Sequence, residues 1–341
     1  MFDVITIGSA TRDAFFEVDF KTIPWPKTPS KKAYALPLGE KLEVKSTLFT
    51  IGGNSANASV TFSRQGLKTA CVAKVGCDVS GEEIRRRLVR EGVDARYMSC
   101  TDKAPTAYSV LLTQGGERTI IGYHGASDLF SIKDVELKDL AARWWYISLA
   151  GESHNMFPAL MKYAKKNNIS VAFNPSGHHL RHKRNDIIRF LKDISFFVLN
   201  DEEAALLTGI PWKRSREVFK KLDQWTPGIL AVTSGRDGAV ISDGKNIYRA
   251  GIFKEKKLAD RTGAGDAFGS GFVAGLLQRQ KSNVKSQKFA KEDICYAVRL
   301  ASANSTANVE KYGATEGTLT AREFKNPRWG RFKISIEKIT R

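Results

Sequence analysis

Asp260-Arg261-Thr262-Gly263-Ala264-Gly265-Asp266-Ala267-Phe268, continuing as Gly269-Ser270-Gly271-Phe272-Val273-Ala274-Gly275-Leu276-Leu277, is the stretch on which the rest of the chain turns. Small residues opening into an apolar helix leave backbone N–H groups unpaired at the helix N-terminus, and such groups bind anions. Asp266 falls in the first turn, where the helix dipole favours a negative charge but where that charge would repel a phosphate merely resting there. A phosphate cradle with a carboxylate beside it points to phosphoryl transfer, with the acid as base. The dinucleotide fingerprint G-x-G-x-x-G fails here, because Phe268 stands where its third glycine would be, and the Walker A pattern occurs nowhere in the chain. A capped helix start with glycines for close packing stays open as the plainer reading.

The 341 residues are 42% hydrophobic and 26% charged, enough for one large α/β domain or two smaller ones. No apolar run reaches the roughly 18–20 residues that span a bilayer, and Met1 to Gly8 reads as a strand rather than a leader. The four cysteines, Cys71, Cys77, Cys100 and Cys295, show neither C-x-x-C spacing nor histidines at ligand spacing. That argues against a disulfide framework and against zinc, and for a reducing cytoplasm. Lys and Arg number 54 against 36 Asp and Glu, a formal +18. The positive charge is spread, with peaks at 85–87, 178–184 and 279–291 and near the C-terminus, and no nucleic-acid motif accompanies it. A solvated surface or the steering of an anionic substrate is favoured over a nucleic-acid face.

Outward from the central stretch, polar residues recur at the ends of predicted strands. Residues 2–7 form a buried strand stopped at Gly8-Ser9, with Asp13 just beyond, a candidate acceptor for substrate hydroxyls. Alternating segments between 15 and 50 and between 107 and 123, the latter with Gln114-Gly115-Gly116-Glu117 as a hairpin turn, predict one small antiparallel sheet that could close over a pocket. Between them Gly52-Gly53-Asn54-Ser55-Ala56-Asn57 allows close backbone approach and supplies amide donors and acceptors suited to a polyol. After residue 125 strands near 144–149, 170–173, 195–199 and 229–232 alternate with helices near 157–166, 185–192, 201–207 and 215–225. Such alternation predicts right-handed crossovers and a mostly parallel sheet. Asn174-Pro175, Asn200 with Glu203, and Thr233-Ser234-Gly235 with Gly238 follow three of these strands, as a ligand cleft along one sheet edge requires. A helix near 292–310, rich in alanine, would pack close to the one beginning at Asp266 or leave room for a flat ring, and the tail after Gly317 reads as irregular.

Taken together, Gly52 to Asn57 leading to Val75-Gly76-Cys77-Asp78-Val79-Ser80-Gly81, and Asp260 to Phe268, resemble the ribokinase-like, or PfkB, family of carbohydrate and nucleoside kinases. Gly8-Ser9 with Asp13, Asn200-x-x-Glu203 and Val232 to Gly238 support the resemblance in the family's order across residues 5–315. It implies an α/β ribokinase-like fold, with a main domain of residues 1–12, 51–105 and 124–341 and a β-sheet lid of residues 13–50 and 106–123. It implies Asp266 as catalytic base and Gly263, Ala264 and Gly265 as the anion hole. Asn200 and Glu203 would order Mg2+ through water, and Thr233, Gly235 and Gly238 would line the ATP phosphates, with Asn304 bordering adenine. Asp13, Gly53, Asn54 and Asn57 fall at substrate-hydroxyl positions, and Asp260 and Thr262 at those of a monovalent cation such as K+. Asn54 stands where ribokinases proper often carry lysine, which speaks against ribose, and Arg261 is a long cation at a variable position of the signature.

The expectation is therefore an ATP-dependent kinase that phosphorylates a hydroxyl of a sugar or sugar-like substrate. A nucleoside kinase of the same family is the first alternative. A non-catalytic anion- or nucleic-acid-binding protein on the same scaffold is the alternative of another class, against which Asp266 and its glycine turn argue. A cytoplasmic homodimer joined through the open edge of the lid completes the reading.

Overall fold

The computed structural model describes residues 1–27, 30–115, 117–280 and 289–339. Gly116 of the predicted hairpin turn, Pro29 and most of the basic loop around 279–291 lie outside the described residues. The central sheet has nine strands. Its outer strands are Ile334–Lys338, Asn246–Ala250 and Ala239–Ser242; then come Ile229–Thr233, Phe196–Asn200, Ser170–Phe173, Ala142–Ser148, Phe2–Gly8 and Thr69–Val72. The run from Ile229–Thr233 to Thr69–Val72 is parallel throughout, and the three outer strands are antiparallel. The outermost strand corrects the expectation of an irregular tail. The alternation of Ile334 and Ile336 is its only signal, weak because an edge strand buries little.

Parallel strands covered on both faces read as continuous apolar runs, and here period 2 divides those runs between two cores. Ile5, Ile7, Trp145, Ile147, Phe197 and Leu199 pack under the helices Phe157–Lys166, Arg184–Phe190, Asp201–Thr208 and Ser215–Trp225. Val4, Trp144, Tyr146, Phe196 and Val198 point the other way, toward the helices Asn54–Arg64, Ala264–Arg279 and Lys291–Val309. The last two helices are in close contact through their small residues. A Cβ on Gly275 would come to 2.6 Å from the Ala297 Cα, so the alanines serve close helix packing rather than space for a ring.

A second sheet has four strands, in the order Glu117–Tyr123, Tyr108–Gln114, Thr11–Glu17 and Ser46–Gly52, and Thr11–Glu17 directly follows the main-sheet strand Phe2–Gly8. It is not wholly antiparallel, since Thr11–Glu17 runs parallel to Tyr108–Gln114 and antiparallel to Ser46–Gly52. Parallel neighbours need a long crossover, and the helices Asn54–Arg64 and Val79–Arg90 lie on that path.

A further expectation fails. Short parallel strands, Lys74–Gly76 and Ser99–Thr101, bring Cys77 and Cys100 to a Cα separation of 5.2 Å, and their sulfurs are bonded. Spacing of 23 residues carries no signal for such a pair; the strand register makes it. The basic stretch at 178–184 begins inside the short helix Gly177–His182, capped by Ser176. His179 is fully buried against Phe157 and Phe173, and burial pushes its pKa down to about 3. No helix among the described residues is long and apolar enough to cross a membrane.

Candidate active site

The helix Ala264–Arg279 starts from Gly263, whose φ of 74° is left-handed; a Cβ there would approach the Ala314 carbonyl oxygen to 2.6 Å. No side chain caps this helix. The Ala264 N–H makes a long bond of 3.3 Å to the Arg261 carbonyl, and among the described residues the N–H groups of Gly263, Gly265 and Asp266 have no acceptor. An uncapped helix start that opens into a cavity presents fixed donors to an anion.

Asp266 in this first turn accepts a hydrogen bond of 2.9 Å from the Asn57 Nδ2, although 209 residues separate the two. Burial raises its pKa to about 6; the Asn57 hydrogen bond works against the shift and the negative charge of Asp13 adds to it. Asp13 is likewise raised to about 6 by burial, against hydrogen bonds from Thr11 and Ser109. Glu203 is raised to about 7, again by burial first, with Asp266 among the neighbouring charges. Three desolvated carboxyls held near one helix start form a site that a cation or a proton stabilises.

The Gly52-Gly53 pair is shaped to this site. Gly53 has φ 90°, and a Cβ on it would lie 2.7 Å from the Ala10 Cα; one on Gly52 would collide with the Asp13 carboxyl. Asn54 follows at the start of its helix and donates its side-chain amide to the Ser148 Oγ at 2.9 Å, while its backbone N–H reaches the Ser9 Oγ at 3.2 Å. The Asn57 Oδ1 is buried with no partner, an acceptor waiting for a donor. Ser9, Thr11, Ser109 and Ser148 join these residues. All sit at strand ends or on the second sheet, but a lone serine or threonine gives the sequence no signal to single it out.

Beside the helix start is a cavity of 320 Å³ lined by Asn200, Thr233, Gly235, Gly238, Ala264 and Gly265. Gly235 and Gly238 have positive φ in the turn that closes the strand Ile229–Thr233. Asn200 and Glu203 form a reciprocal capping box: the Asn200 Oδ1 accepts from the Glu203 N–H at 2.8 Å, and the Glu203 carboxylate accepts from the Asn200 N–H at 2.9 Å. The second carboxylate oxygen of Glu203 makes no hydrogen bond among the described residues, and its oxygen chemistry would fit a hydrated Mg2+.

Asn304 does not border the cavity. It is fully buried, with its amide donating to the Ala267 carbonyl at 2.8 Å and accepting from the Leu319 N–H at 2.7 Å. Ser302, Ser305, Thr306 and Val309 of the same helix line the cavity instead, a turn-by-turn shift that only the packed helix pair reveals. Asp260 is buried, its Oδ1 bound by the Thr262 N–H at 3.1 Å and hydroxyl at 2.9 Å, and its Oδ2 has no partner. The Asn308 amide donates to the Thr262 carbonyl at 2.9 Å and leaves its own oxygen buried and unpartnered. Two orphaned buried oxygens, Asp260 Oδ2 on the loop and Asn308 Oδ1 on the helix Lys291–Val309, would suit a monovalent cation.

The model of the pfkB family carbohydrate kinase matches residues 27–321. A ribokinase of Haemophilus influenzae is 25% identical over 325 residues, 93% of this chain and 95% of that protein. A nucleoside kinase of Methanothermobacter thermautotrophicus is 28% identical over 280 residues, 81% of this chain and 83% of its own length. Among solved structures, the ribokinase of Arabidopsis thaliana in complex with ribose and ATP has a TM-score of 0.74 at 20% identity, covering 94% of this chain and 97% of that one. The chain belongs to the pfkB family of carbohydrate kinases, as a sugar or nucleoside kinase that transfers phosphate to a hydroxyl group.

Proposed function

We propose that this enzyme transfers the γ-phosphate of ATP to a hydroxyl of a sugar or sugar-like substrate. The observation that carries the reading is the contact of Asp266 with Asn57, which sets one desolvated carboxylate between an uncapped helix start and a cradle of hydroxyl-binding groups. Asp13, Asn54, Asn57 and the Gly53 backbone hold the acceptor. Asp266 takes the proton as the substrate oxygen bonds to the γ-phosphorus, the bond to the bridging oxygen breaks, and ADP leaves. The N–H groups of the Gly263–Asp266 turn stabilise the charge on the transferring oxygens. Glu203 and Asn200 would hold hydrated Mg2+, which neutralises phosphate charge, and Asp260 with Thr262 would hold K+ behind the turn.

Relatives named ribokinase and nucleoside kinase support two acceptor classes, sugar and nucleoside, and the sugar reading is the conclusion. A need for ATP supports a cytoplasmic location, and there the Cys77–Cys100 bond is an exception to the usual reduced state. The strand Glu117–Tyr123 exposes Ile120, Ile121 and Tyr123 at an open sheet edge, which supports a homodimer through the lid. An ADP-release assay over sugars, sugar phosphates and nucleosides, with and without K+, tests the function; no ATP turnover on any of them refutes it.

A further inference from the structure

Three arginines line the cavity beside the helix start: Arg236 from the turn after the strand Ile229–Thr233, Arg261 from the glycine-rich stretch, and Arg118 from the far strand of the second sheet. Elsewhere, half-buried guanidiniums meet carboxylates, Arg64 with Glu91 and Arg328 with Glu310. Among the described residues, none of the three cavity arginines makes an ion pair or a side-chain hydrogen bond, although Glu255 also lines the cavity. Arg118 and Arg236 are exposed and Arg261 is half-buried, and together they bring three forked donor groups, a match for phosphate oxygens, to a space of 320 Å³.

Strand register shows why Arg118 reaches so far. Asp13 lies beside Ser109 in the parallel pair, and Ser109 lies opposite Gly122 in the hairpin. Side chains share a face at every second residue, so Ser109, Leu111 and Thr113 with their partners Gly122, Ile120 and Arg118 occupy the face that carries Asp13. Arg118 is therefore aimed across the site from the lid. The cavity it enters is bounded by the Thr233–Gly238 turn and by Ser302, Ser305 and Thr306, not by Asp13, Asn54 or Asn57.

Building on the proposed function, we propose that Arg118 closes on the polyphosphate of bound ATP and, with Arg236 and Arg261, forms a guanidinium clamp that couples the lid to the nucleotide. The anion belongs to the nucleotide rather than to a phosphorylated acceptor, because the hydroxyl-binding residues lie outside this cavity. Arg118→Ala should raise the KM for ATP and the Kd for a non-hydrolysable ATP analogue about tenfold or more, leave the Kd for AMP unchanged, and lower kcat. Acceptor KM should stay within about twofold, and Arg118→Lys should restore only part of the loss, since lysine lacks the fork. Unchanged nucleotide constants in Arg118→Ala would overturn the clamp, and so would an increase confined to acceptor KM, which would assign the anion to the acceptor. The wild-type protein separates the two claims: if it binds no ATP analogue, the proposed function falls; if it binds and Arg118→Ala is silent, only the clamp falls.

Discussion

Replacing Asp266 with asparagine should make this protein more stable and much less active. The folded carboxyl has a pKa of about 6 against 3.8 ordinarily, mainly through burial. At pH 7 that gap corresponds to about 3 kcal/mol by which ionisation opposes folding. The sign follows from proton uptake: the folded state binds the proton more tightly, so the contribution of this group is fully favourable below 3.8 and is lost as pH rises through about 6. Asparagine keeps an oxygen for the Asn57 amide but carries no charge to desolvate. The variant should therefore melt about 4 °C above the wild type at pH 7, with the difference closing toward pH 4. Loss of the proposed base should lower kcat by about 10²- to 10⁴-fold. In the wild type, kcat/KM should fall as pH drops below about 6 and Asp266 takes up its proton. Thermal melts at the two pH values, with ADP release followed on the best acceptor, give both readouts. A variant that melts below the wild type at pH 7, or keeps activity within about tenfold, refutes the reasoning.

Gly53→Ala should raise acceptor KM at least about tenfold and cost about 1–3 kcal/mol of stability, because a side chain at φ 90° meets Ala10; ATP KM should not move, and steady-state kinetics against each substrate checks this. Glu203→Gln keeps the capping box, since an amide oxygen can still accept from the Asn200 N–H. It should raise the Mg2+ concentration for half-maximal activity by about tenfold, with recovery at high Mg2+ in a metal titration. Reducing the Cys77–Cys100 bond opens a loop of 23 residues and should cost about 3 kcal/mol, seen as a lower melting temperature with dithiothreitol that a Cys100→Ser variant no longer shows.

Much of the candidate site's local structure could be read from the chain because its parts are local. The glycine turn before Asp266, the Asn200–Glu203 capping box and the Gly52-Gly53 pair each owe their shape to backbone demands that fall on adjacent residues, and those demands dictate the amino acids. The parallel sheet was legible for a similar reason: strands buried on both faces must be apolar throughout, and the polar residues that end them stand out. What the sequence could not show depends on pairings between distant segments. The strands Lys74–Gly76 and Ser99–Thr101 are too short to carry a period, so the cysteine pair appears only once they are side by side. Asn304 and its neighbours differ only in the rotation of one packed helix, which the facing helix fixes through Gly271 and Gly275. Arg118 looks like any exposed strand arginine until the register of the second sheet turns it toward the cavity. The sequence by itself determined the character of the central stretch, an uncapped helix start with one carboxylate in its first turn. The tertiary structure decided what faces that carboxylate, because the contact of Asp266 with Asn57 spans 209 residues and exists only when two helices pack on one side of the sheet.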